Sequence, residues 1–537
     1  MILERITCAV LLLVVVMSPV RALARHVGDV IGSIPSPGPC VTGLTWDGKN
    51  LWAADHKTDA LYRIDSRTGK VLARLPSPGY RPAGLAWDGK NLWNVDPVEN
   101  RIYRLDVRRG TVDLTVEAPV AESAALAWDG RHLWLASTRK GKLHRIDRSD
   151  GTTIDSHTTP SPSVDGMAFD GRYLWIADRI SDQLHVVDPT SSEVLFSVKA
   201  PGPHVTGIAF DGAHLWVADY QTDRIYRLEH RGDGKPVRKA TRRQRVRYTH
   251  QIRNLGPGTL VQADIYVAVP ADNLYQKLAR KPQFTPRPTA LLTDQWGQRV
   301  AHFHFANLPA GKFATVAMDG SATLFDVRHQ IYPHQLKGLN AVPAEVRRYL
   351  VDGEKYLKGD RAIRRAVKQA VGQERNPYWI ARRIYRHIHD RMFYKLSGGW
   401  NVAPRVLQRG NGSCSEYSFV FISMCRAAGL PARYVGSLVV RKDDASYDDV
   451  FHRWVEIYLP GYGWLPVDPS RGDKKSEVDR SDAFGHLEPV FLITTQGGGG
   501  SRYLTWKYNS DERWVCKGRC EVKVENIAEW EPVAAGK

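Results

Sequence analysis

The stretch "GLTWDGKNLW" at residues 43–52 recurs four more times along the chain. The copies are "GLAWDGKNLW" at 84–93, "ALAWDGRHLW" at 125–134, "GMAFDGRYLW" at 166–175 and "GIAFDGAHLW" at 207–216, each 41 residues after the one before. In each unit an Asp-Gly turn separates two short strand-like runs, and further short runs follow. A fixed period of about 40 residues with four short strands per unit predicts a β-propeller.

The two ends of the repeat array complement each other. The fifth unit stops near His230 without a fourth strand, whereas "GDVIGSIPSPG" at 28–38 matches the fourth-strand pattern "GKVLARLPSPG" at 69–79. We therefore predict a five-bladed β-propeller over residues 28–230 whose last blade is completed by the N-terminal strand, so that no edge is left free. The units resemble propellers of the NHL and glutamine-cyclotransferase type, a likeness that leaves the ligand open.

Two side chains recur at equivalent places in the units. The repeated aspartate after the second strand could line one rim of the propeller. A position filled in nearly every unit is better explained by capping of the turn into the third strand. The repeated tryptophan is expected to pack between blades rather than to bind a ligand. These positions are Asp55, Asp96, Ser137, Asp178 and Asp219, and Trp52, Trp93, Trp134, Trp175 and Trp216.

The N-terminus has the composition of a secretory signal peptide. Arg5 precedes the apolar run "ITCAVLLLVVVM", and "ALA" at 22–24 fits a cleavage site before Arg25. The apolar run is too short for a membrane span. We expect residues 1–24 to be a signal peptide and the protein to be exported, either periplasmic or secreted, with no membrane span.

The chain is strongly basic, with a formal charge of +18 that falls to +17 when residues 1–24 are removed. In an exported protein this favours acidic envelope polymers or anionic surfaces as neighbours, and it disfavours nucleic acid as a partner. Solubility alone is the simpler explanation of the charge.

A basic segment and a β-rich region follow the repeats. The run "RGDGKPVRKATRRQRVR" at 231–247 predicts a solvated linker over 231–244, with anion docking as the alternative. Strand-like runs broken by Gly and Pro over 245–331 predict a small antiparallel β-sandwich. His302 and His304 share one strand face there, but they lack the third ligand that a metal site needs.

The chemistry is concentrated in "GNGSCSEYSFVFISMCRAAGLPAR" at 410–433. Cys414 lies where a glycine-flanked break meets an apolar run with helical spacing. The N-terminus of a helix stabilises a thiolate, which is the nucleophilic form of cysteine. Ser413 and Ser415 are better explained as capping residues than as nucleophiles.

A base and an orienting carboxylate follow in "HRWVEIYLPGYGWLPVDPS" at 452–470. Two extended runs flank a Pro-Gly-Tyr-Gly turn. If the loop is Pro460–Tyr462, Asp468 faces Trp454 and lies diagonal to His452 on the same side of the hairpin. An even-numbered loop would separate them. Cys414, His452 and Asp468 are therefore the predicted catalytic residues, with the logic of a papain-like triad.

These motifs, together with "NPYWIARRIYRHIHD" at 376–390, resemble the core of the transglutaminase-like superfamily. The resemblance covers about 341–472 and implies an α+β papain-like catalytic domain. It assigns Cys414 as nucleophile, His452 as general base and acid, and Asp468 as the orienting residue. Many relatives have Asp before the cysteine, where this chain has Ser413.

Other residues complete the expected site. The backbone N–H of Cys414 is one predicted oxyanion donor. Tyr394 and Trp400, just upstream, are candidates to line the substrate and oxyanion region, although such a residue is more often a packing aromatic.

The remaining cysteines have simpler explanations. Cys516 and Cys520 flank a Lys-Gly-Arg turn and are candidates for a disulfide across a hairpin. Cys425 falls among apolar residues and is expected to be buried. Residues 473–537 form a C-terminal β extension of open role.

The sequence therefore predicts an exported cysteine acyltransferase or hydrolase that acts on amide bonds of a protein or peptide substrate. Peptidase or amidase activity is favoured over amine cross-linking because amine transfer needs a site that excludes water, and no lid segment is evident. No cofactor or metal is predicted, since no calcium-loop pattern occurs. The alternative is a non-catalytic binding or scaffold protein of the cell envelope, which would leave the Cys, His and Asp motifs unexplained.

Overall fold

A computed structural model describes residues 26–137, 140–396, 399–440 and 446–533. The predicted signal peptide at 1–24 lies outside these ranges. The first twenty strands occur in the repeat region. They are β1 Val30–Pro35, β2 Val41–Trp46, β3 Leu51–Asp55, β4 Ala60–Ile64, β5 Val71–Pro76, β6 Leu85–Trp87, β7 Leu92–Asp96, β8 Arg101–Asp106, β9 Thr111–Glu117, β10 Ser123–Trp128, β11 Leu133–Ser137, β12 Lys142–Ile146, β13 Thr153–Thr158, β14 Val164–Phe169, β15 Leu174–Asp178, β16 Gln183–Val187, β17 Val194–Lys199, β18 Val205–Phe210, β19 His214–Asp219 and β20 Arg224–Glu229.

These strands form four-stranded antiparallel sheets that are propeller-like. The sheets are β2–β5, β6–β9, β10–β13, β14–β17 and the order β1-β20-β19-β18. The first strands β2, β6, β10, β14 and β18 contact one another in a closed cycle. The N-terminal strand β1 pairs with β20, with Pro35 opposite Arg224. The chain therefore supplies the missing fourth strand of the last unit from its N-terminal end, as the repeat pattern predicts.

The Asp-Gly turn and the tryptophan of each repeat are linked. In the second unit the Asp88 carboxylate accepts hydrogen bonds from the backbone N–H of Asn91 at 2.7 Å and from the Trp93 indole N–H at 2.9 Å. The same indole bond, at 2.8–3.0 Å, joins the tryptophan and aspartate of the other units. The five tryptophans are at most 3% exposed, which supports their predicted packing role.

The repeated aspartates after the second strand bind backbone. Asp55 accepts from the N–H of Thr58 at 2.9 Å and of Cys40 at 2.7 Å. Asp219 likewise accepts from the N–H of Thr222 at 2.8 Å and of His204 at 2.6 Å. Each carboxylate thus caps one turn and anchors the segment that enters the first strand of its sheet.

The strands after the repeats belong to one large sheet. They are β21 Val237–Ala268, β22 Gln276–Leu278, β23 Gln283–Thr285, β24 Ala290–Thr293, β25 Arg299–Leu308 and β26 Phe313–Arg328. The 32-residue β21 pairs with β26 along its first half and with β25 along its second. Both halves contribute to one apolar cluster that includes Tyr248, Ile265 and Phe303.

The region predicted to be catalytic, called the catalytic region below, comes next and contains all five α-helices of the described chain. Three short 3₁₀ helices precede it at Pro333–Gln335, Leu339–Ala341 and Ala344–Leu350. The further elements are α1 Arg361–Val371, α2 Pro377–His389, β27 Phe393–Tyr394, α3 Ala403–Arg409, β28 Asn411–Gly412, α4 Cys414–Ala427, β29 Ala432–Val439, β30 Ser446–Asp448, β31 His452–Leu459, β32 Gly463–Val467, α5 Glu477–Asp482, β33 His486–Leu487, β34 Phe491–Gly497 and β35 Ser510–Pro532. The helix α4 packs on the antiparallel sheet β32-β31-β29-β34.

Several predicted boundaries differ from the structure. Residues 237–244, predicted as linker, lie in β21, because pairing with β26 orders this basic stretch. The sheet of the catalytic region extends past residue 472, since β34 pairs with β29. The strand β35 of the C-terminal extension pairs with β21 from Gln244 to Val267 and so joins the sheet predicted for residues 245–331.

The predicted hairpin at Cys516 and Cys520 is wrong, although the two cysteines form a disulfide. Both sides of the Lys-Gly-Arg segment continue along β21, where Cys516 pairs with Leu260 and Cys520 with Pro257. The register of β35 against β21 shifts at three places between Asn254 and Gln262, so the Lys-Gly-Arg segment lies in an irregular part of the pairing. The Asn254 side-chain amide donates to the carbonyl oxygen of Leu308 at 2.9 Å beside it. The disulfide therefore joins two residues within one strand rather than across a chain reversal.

The catalytic region is attached to the fourth sheet of the repeat region. Glu193, at the start of the outer strand β17, forms ion pairs with Arg382 at 2.7 Å and Arg386 at 2.6 Å, both on α2. Tyr332 stacks on Tyr173 with ring centroids 5.7 Å apart. This contact places the catalytic region on the end of the sheets that carries the Asp-Gly turns. Among the described residues, no helix combines the length and apolarity of a membrane span.

We expect Asp88→Ala to destabilise the repeat region, because it leaves the Trp93 indole N–H and two backbone N–H groups without their acceptor. A loss of about 1–3 kcal/mol in free energy of unfolding is expected. Urea denaturation followed by tryptophan fluorescence measures it. Asp113→Ala is the matched control, since that carboxylate is 41% exposed and, among the residues that the structure describes, pairs with Arg104 alone. Equal stability of the two variants would contradict the role given to the Asp-Trp bond.

Candidate active site

The nucleophile candidate begins a helix, as its sequence context predicts. Cys414 is the first residue of α4 and is 7% exposed. The buried Glu416 carboxylate accepts from the backbone N–H of Ser413 at 3.3 Å and forms an ion pair with Arg409 at 2.8 Å. Glu416 therefore holds the turn that leads into the helix.

The hairpin register brings the other two candidates together. Leu459 pairs with Gly463, so the loop contains the three residues 460–462, and Val455 pairs with Val467. With this odd-numbered loop, His452 and Asp468 lie on the same side of the hairpin. The Nε2 atom of His452 is 2.6 Å from Oδ2 of Asp468. This leaves Nδ1 as the ring nitrogen available to the thiol.

The Asp468 carboxylate is held by the turn that follows it. Its Oδ1 atom accepts from the backbone N–H of Ser470 at 3.0 Å, from the Ser470 hydroxyl at 2.8 Å and from the backbone N–H of Arg471 at 2.9 Å. Burial raises the pKa of Asp468, but the imidazole and these donors lower it below its usual value. The carboxylate therefore stays ionised and oriented towards His452.

Cys414 and His452 form a polarised pair. Burial raises the pKa of the Cys414 thiol, but its hydrogen bond to His452 and the charges of His452 and Arg453 outweigh burial and lower it. Burial lowers the pKa of His452, whereas Asp468 and then the thiol raise it to about 10. The two shifts favour a thiolate beside an imidazolium at neutral pH.

The thiol opens into a cavity of about 430 Å³ between the catalytic region and the large sheet. Trp400 lines this cavity together with Leu396 and Tyr508, and Tyr248 and Ser510 form the wall on the large sheet. Tyr394 does not line it. The side chain of Tyr394 is 45% exposed and its ring packs near Tyr417, because its backbone N–H is bound to the Asp473 carboxylate.

Two residues of the site escape sequence reasoning. Tyr508 comes from a segment with no motif, and among the described residues its hydroxyl has no hydrogen-bond partner. It packs directly over Gly436, where a Cβ would overlap its ring. Burial and the negative charge of Cys414 raise the pKa of Tyr508, which keeps the hydroxyl protonated as a donor.

Arg453 is the second residue of the site that sequence reasoning misses. The residue is fully buried directly after His452, and its guanidinium lies 4.4 Å from the ring centroid of Tyr508 and 4.9 Å from that of Trp400. Its Nη2 atom donates to the Trp506 carbonyl oxygen at 2.6 Å. The sequence signal that could have identified Arg453 is a charged residue inside a predicted strand, because a buried cation needs a partner.

Residues predicted elsewhere do not join the site. His302 and His304 both bind Oδ1 of Asp264, at 2.8 and 3.0 Å. Cys425 is fully buried in α4, and burial raises its pKa. Within the described ranges no three His, Cys, Asp or Glu side chains are grouped as metal ligands.

The comparisons with known proteins agree with this geometry. Residues 364–469 match the model of the transglutaminase-like superfamily, so the chain contains a transglutaminase-like domain. It is 26% identical over 176 residues to an uncharacterized protein of Haemophilus influenzae, which covers 26% of this chain and 48% of that protein. It is 30% identical over 126 residues to a protein-glutamine gamma-glutamyltransferase of Pseudomonas aeruginosa, which covers 20% of this chain and 18% of that protein. The chain thus spans about half or less of the length of these relatives.

Two solved structures align with parts of this chain. A candidate cysteine protease from Cytophaga hutchinsonii aligns with a TM-score of 0.40 and 12% identity, over 54% of this chain and 93% of that one. Glutaminyl cyclase from Myxococcus xanthus aligns with a TM-score of 0.34 and 13% identity, over 38% of this chain and 97% of that one.

The polarised pair predicts how Cys414 reacts with iodoacetamide. Labelling should be faster at pH 7 than for an ordinary thiol, because the lowered pKa raises the thiolate fraction of Cys414. His452→Ala should slow it at least about tenfold at that pH, since burial then acts on the thiol without the imidazolium. Peptide mass spectrometry across a pH series separates Cys414 from Cys40 and Cys425.

The matched control is His304→Ala, which removes an imidazole 44% exposed on the large sheet. It should leave the labelling rate of Cys414 unchanged. Equal rates in the wild type and in His452→Ala would show that the two side chains do not act as a pair.

Proposed function

We propose that this protein is a thiol enzyme that attacks amide carbonyl groups of a protein or peptide through Cys414, His452 and Asp468. The observation that carries the proposal is the imidazole held between the thiol and an oriented carboxylate, with the thiol open to a cavity. A scaffold without catalytic activity has no need for these three side chains in this order of contact.

The reaction proceeds through an acyl-enzyme. The Cys414 thiolate attacks the carbonyl carbon while the proton resides on His452. His452 then protonates the leaving amine as the carbon–nitrogen bond breaks, which leaves a thioester on Cys414. A water molecule gives a proton to His452 and attacks the thioester, and the thiol leaves with that proton while a carboxylic acid is released. Asp468 orients the ring in both steps.

The oxyanion is assigned two donors. Cys414 begins α4, so its backbone N–H has no acceptor within the helix and is free to bind a developing negative charge. The second is the Tyr508 hydroxyl, which shares the cavity with the thiol. The ring of Tyr508 cannot retreat, because it lies between Gly436 and the guanidinium of Arg453. Trp400 is assigned to the wall that contacts substrate.

Hydrolysis is favoured over transfer to an amine. The side chain of His452 is 21% exposed, so water can reach the base that would activate it. Transfer to an amine is the second candidate. The similarity to the Pseudomonas aeruginosa glutamyltransferase favours it, over less than a fifth of that protein's length.

The repeat region is proposed to be a five-bladed propeller that serves as a binding module, and the large sheet a bent β-sandwich. The closed cycle of first strands and the pairing of β1 with β20 support the first. Export to the periplasm or beyond, with acidic envelope polymers as neighbours, stays a proposal from the sequence. The Cys516–Cys520 disulfide is compatible with an oxidising compartment.

Activity is expected to depend on Cys414. With blocked glutamine-containing peptides, tested with and without a primary amine, Cys414→Ala should lower kcat/KM by at least about 10³-fold. Mass spectrometry distinguishes peptide cleavage, loss of the side-chain amide and amine incorporation. Cys425→Ala, in the same helix, should stay within about threefold of the wild type because this thiol faces the core. Turnover by Cys414→Ala at the wild-type rate would disprove the proposal.

Removal of the Tyr508 hydroxyl tests the oxyanion assignment. Tyr508→Phe should lower kcat about 100-fold with little change in KM, since the hydroxyl acts only on the transition state. Tyr434→Phe is the control, because Tyr434 packs on the same guanidinium but its hydroxyl binds the Lys507 carbonyl oxygen at 3.2 Å. Equal kcat in Tyr508→Phe and the wild type would exclude this donor.

A further inference from the structure

A second cavity lies far from the thiol, where the sheets of the repeat region converge. It has a volume of about 210 Å³ and is lined by residues from all five units. The polar groups that matter are Cys40, His56, Arg81, Asp165, Arg179 and His204. They belong to the segments that enter the first strand of each sheet and to the turns between the second and third strands.

The cavity faces away from the catalytic region. The contacts to that region include Tyr173, which stacks on Tyr332 and lies just before the second strand of the fourth sheet, and Glu193, before its fourth strand. Since strands alternate in direction, those turns lie at the opposite end of the sheets from His56, Arg81 and Arg179. The described part of the chain therefore leaves the mouth of this cavity uncovered.

The carboxylates nearest the cavity are already engaged. The repeated aspartates accept backbone hydrogen bonds; Asp96, for example, accepts from the N–H of Arg81 at 2.7 Å. Asp165 is paired with Arg179 at 3.4 Å and accepts from the Ser163 hydroxyl at 2.9 Å. Within the described chain the ion pair of Asp165 is with Arg179 alone, so its carboxylate does not pair with Arg81.

The basic groups at the cavity, by contrast, have polar atoms without a hydrogen-bond partner in the described chain. Among the described residues the guanidinium of Arg81 has no hydrogen bond or ion pair, although the side chain is at the cavity. The Nδ1 atom of His56 is buried without a partner. The Nη1 atom of Arg179 lies 3.5 Å from Nε2 of His204, so the guanidinium of Arg179 is directed towards the cavity. A guanidinium with free donors beside unpaired imidazole nitrogen is a site for oxygen anions.

We propose that this cavity binds a small oxygen anion, a carboxylate or a phosphate group, through Arg81 and Arg179, with His56 and His204 beside them. The volume admits one such group with a short stem and excludes a folded partner. The anion could belong to a free small molecule or to the end of a polymer, and the chemistry of recognition is the same. The site is independent of the proposed reaction at Cys414.

Isothermal titration calorimetry of the whole protein tests this with two probes, inorganic phosphate and succinate, in Tris chloride at constant ionic strength. We expect saturable binding of at least one probe with Kd between about 10 µM and 1 mM. Arg81→Gln should weaken it at least about tenfold, because it removes the guanidinium of this cavity that has no hydrogen bond or ion pair within the described chain.

Arg67→Gln is the matched control. It removes the same charge from a side chain 86% exposed in the turn before the fourth strand, at the other end of the sheets. Its affinity should stay within about twofold of the wild type. Since Arg81 is exposed, its loss should leave the far-UV circular dichroism unchanged, which separates lost binding from lost folding.

Binding of phosphate alone would assign a phosphoryl ligand, and binding of succinate alone a carboxylate ligand. Both results support the site if they depend on Arg81. Absence of saturable binding of either probe up to about 10 mM, roughly tenfold above the expected range of Kd, would overturn it. Binding that Arg81→Gln leaves unchanged would overturn it as well.

Discussion

The hydrogen bond between His452 Nε2 and Asp468 Oδ2 is the contact on which the candidate active site depends. It sets which ring nitrogen faces Cys414, and it supplies the charge that keeps the imidazole protonated beside a thiolate. The bond in turn requires an odd-numbered loop in the hairpin of β31 and β32. One residue more or less at 460–462 would turn Asp468 to the other face, because side chains alternate along a strand.

The large sheet contributes to the same site from a distance in sequence. Strand β35 carries Ser510 into the wall of the cavity, while Tyr508 lies just before it. Both line the same cavity as Cys414, and the pairing of β35 along β21 over most of its length holds Ser510 in this position. The C-terminal segment, whose role the sequence leaves open, is thus part of the candidate site.

Buried charges are arranged in two different ways in this protein. Glu193 pairs with two arginines where the catalytic region meets the fourth sheet, so the charge is neutralised and the contact gains orientation. Arg453 lies among aromatic rings beside a thiol, and within the described part of the chain its side chain has one hydrogen-bond acceptor, the Trp506 carbonyl oxygen at 2.6 Å. Its charge is available to stabilise a neighbouring anion, which is a role suited to a reacting centre rather than to a domain contact.

The sequence by itself determined the features that depend on short-range pattern. The 41-residue period predicted repeated four-stranded sheets, the match of residues 28–38 to a fourth strand predicted the pairing of β1 with β20, and loop parity predicted the contact of His452 with Asp468. Only the tertiary structure decided the continuity of β21 through the Gly-Pro-Gly segment, the position of β35, the exclusion of Tyr394 and the inclusion of Tyr508 and Arg453. Those outcomes depend on pairing and packing between residues far apart in the chain, and such contacts have no periodic signature in the segments that make them.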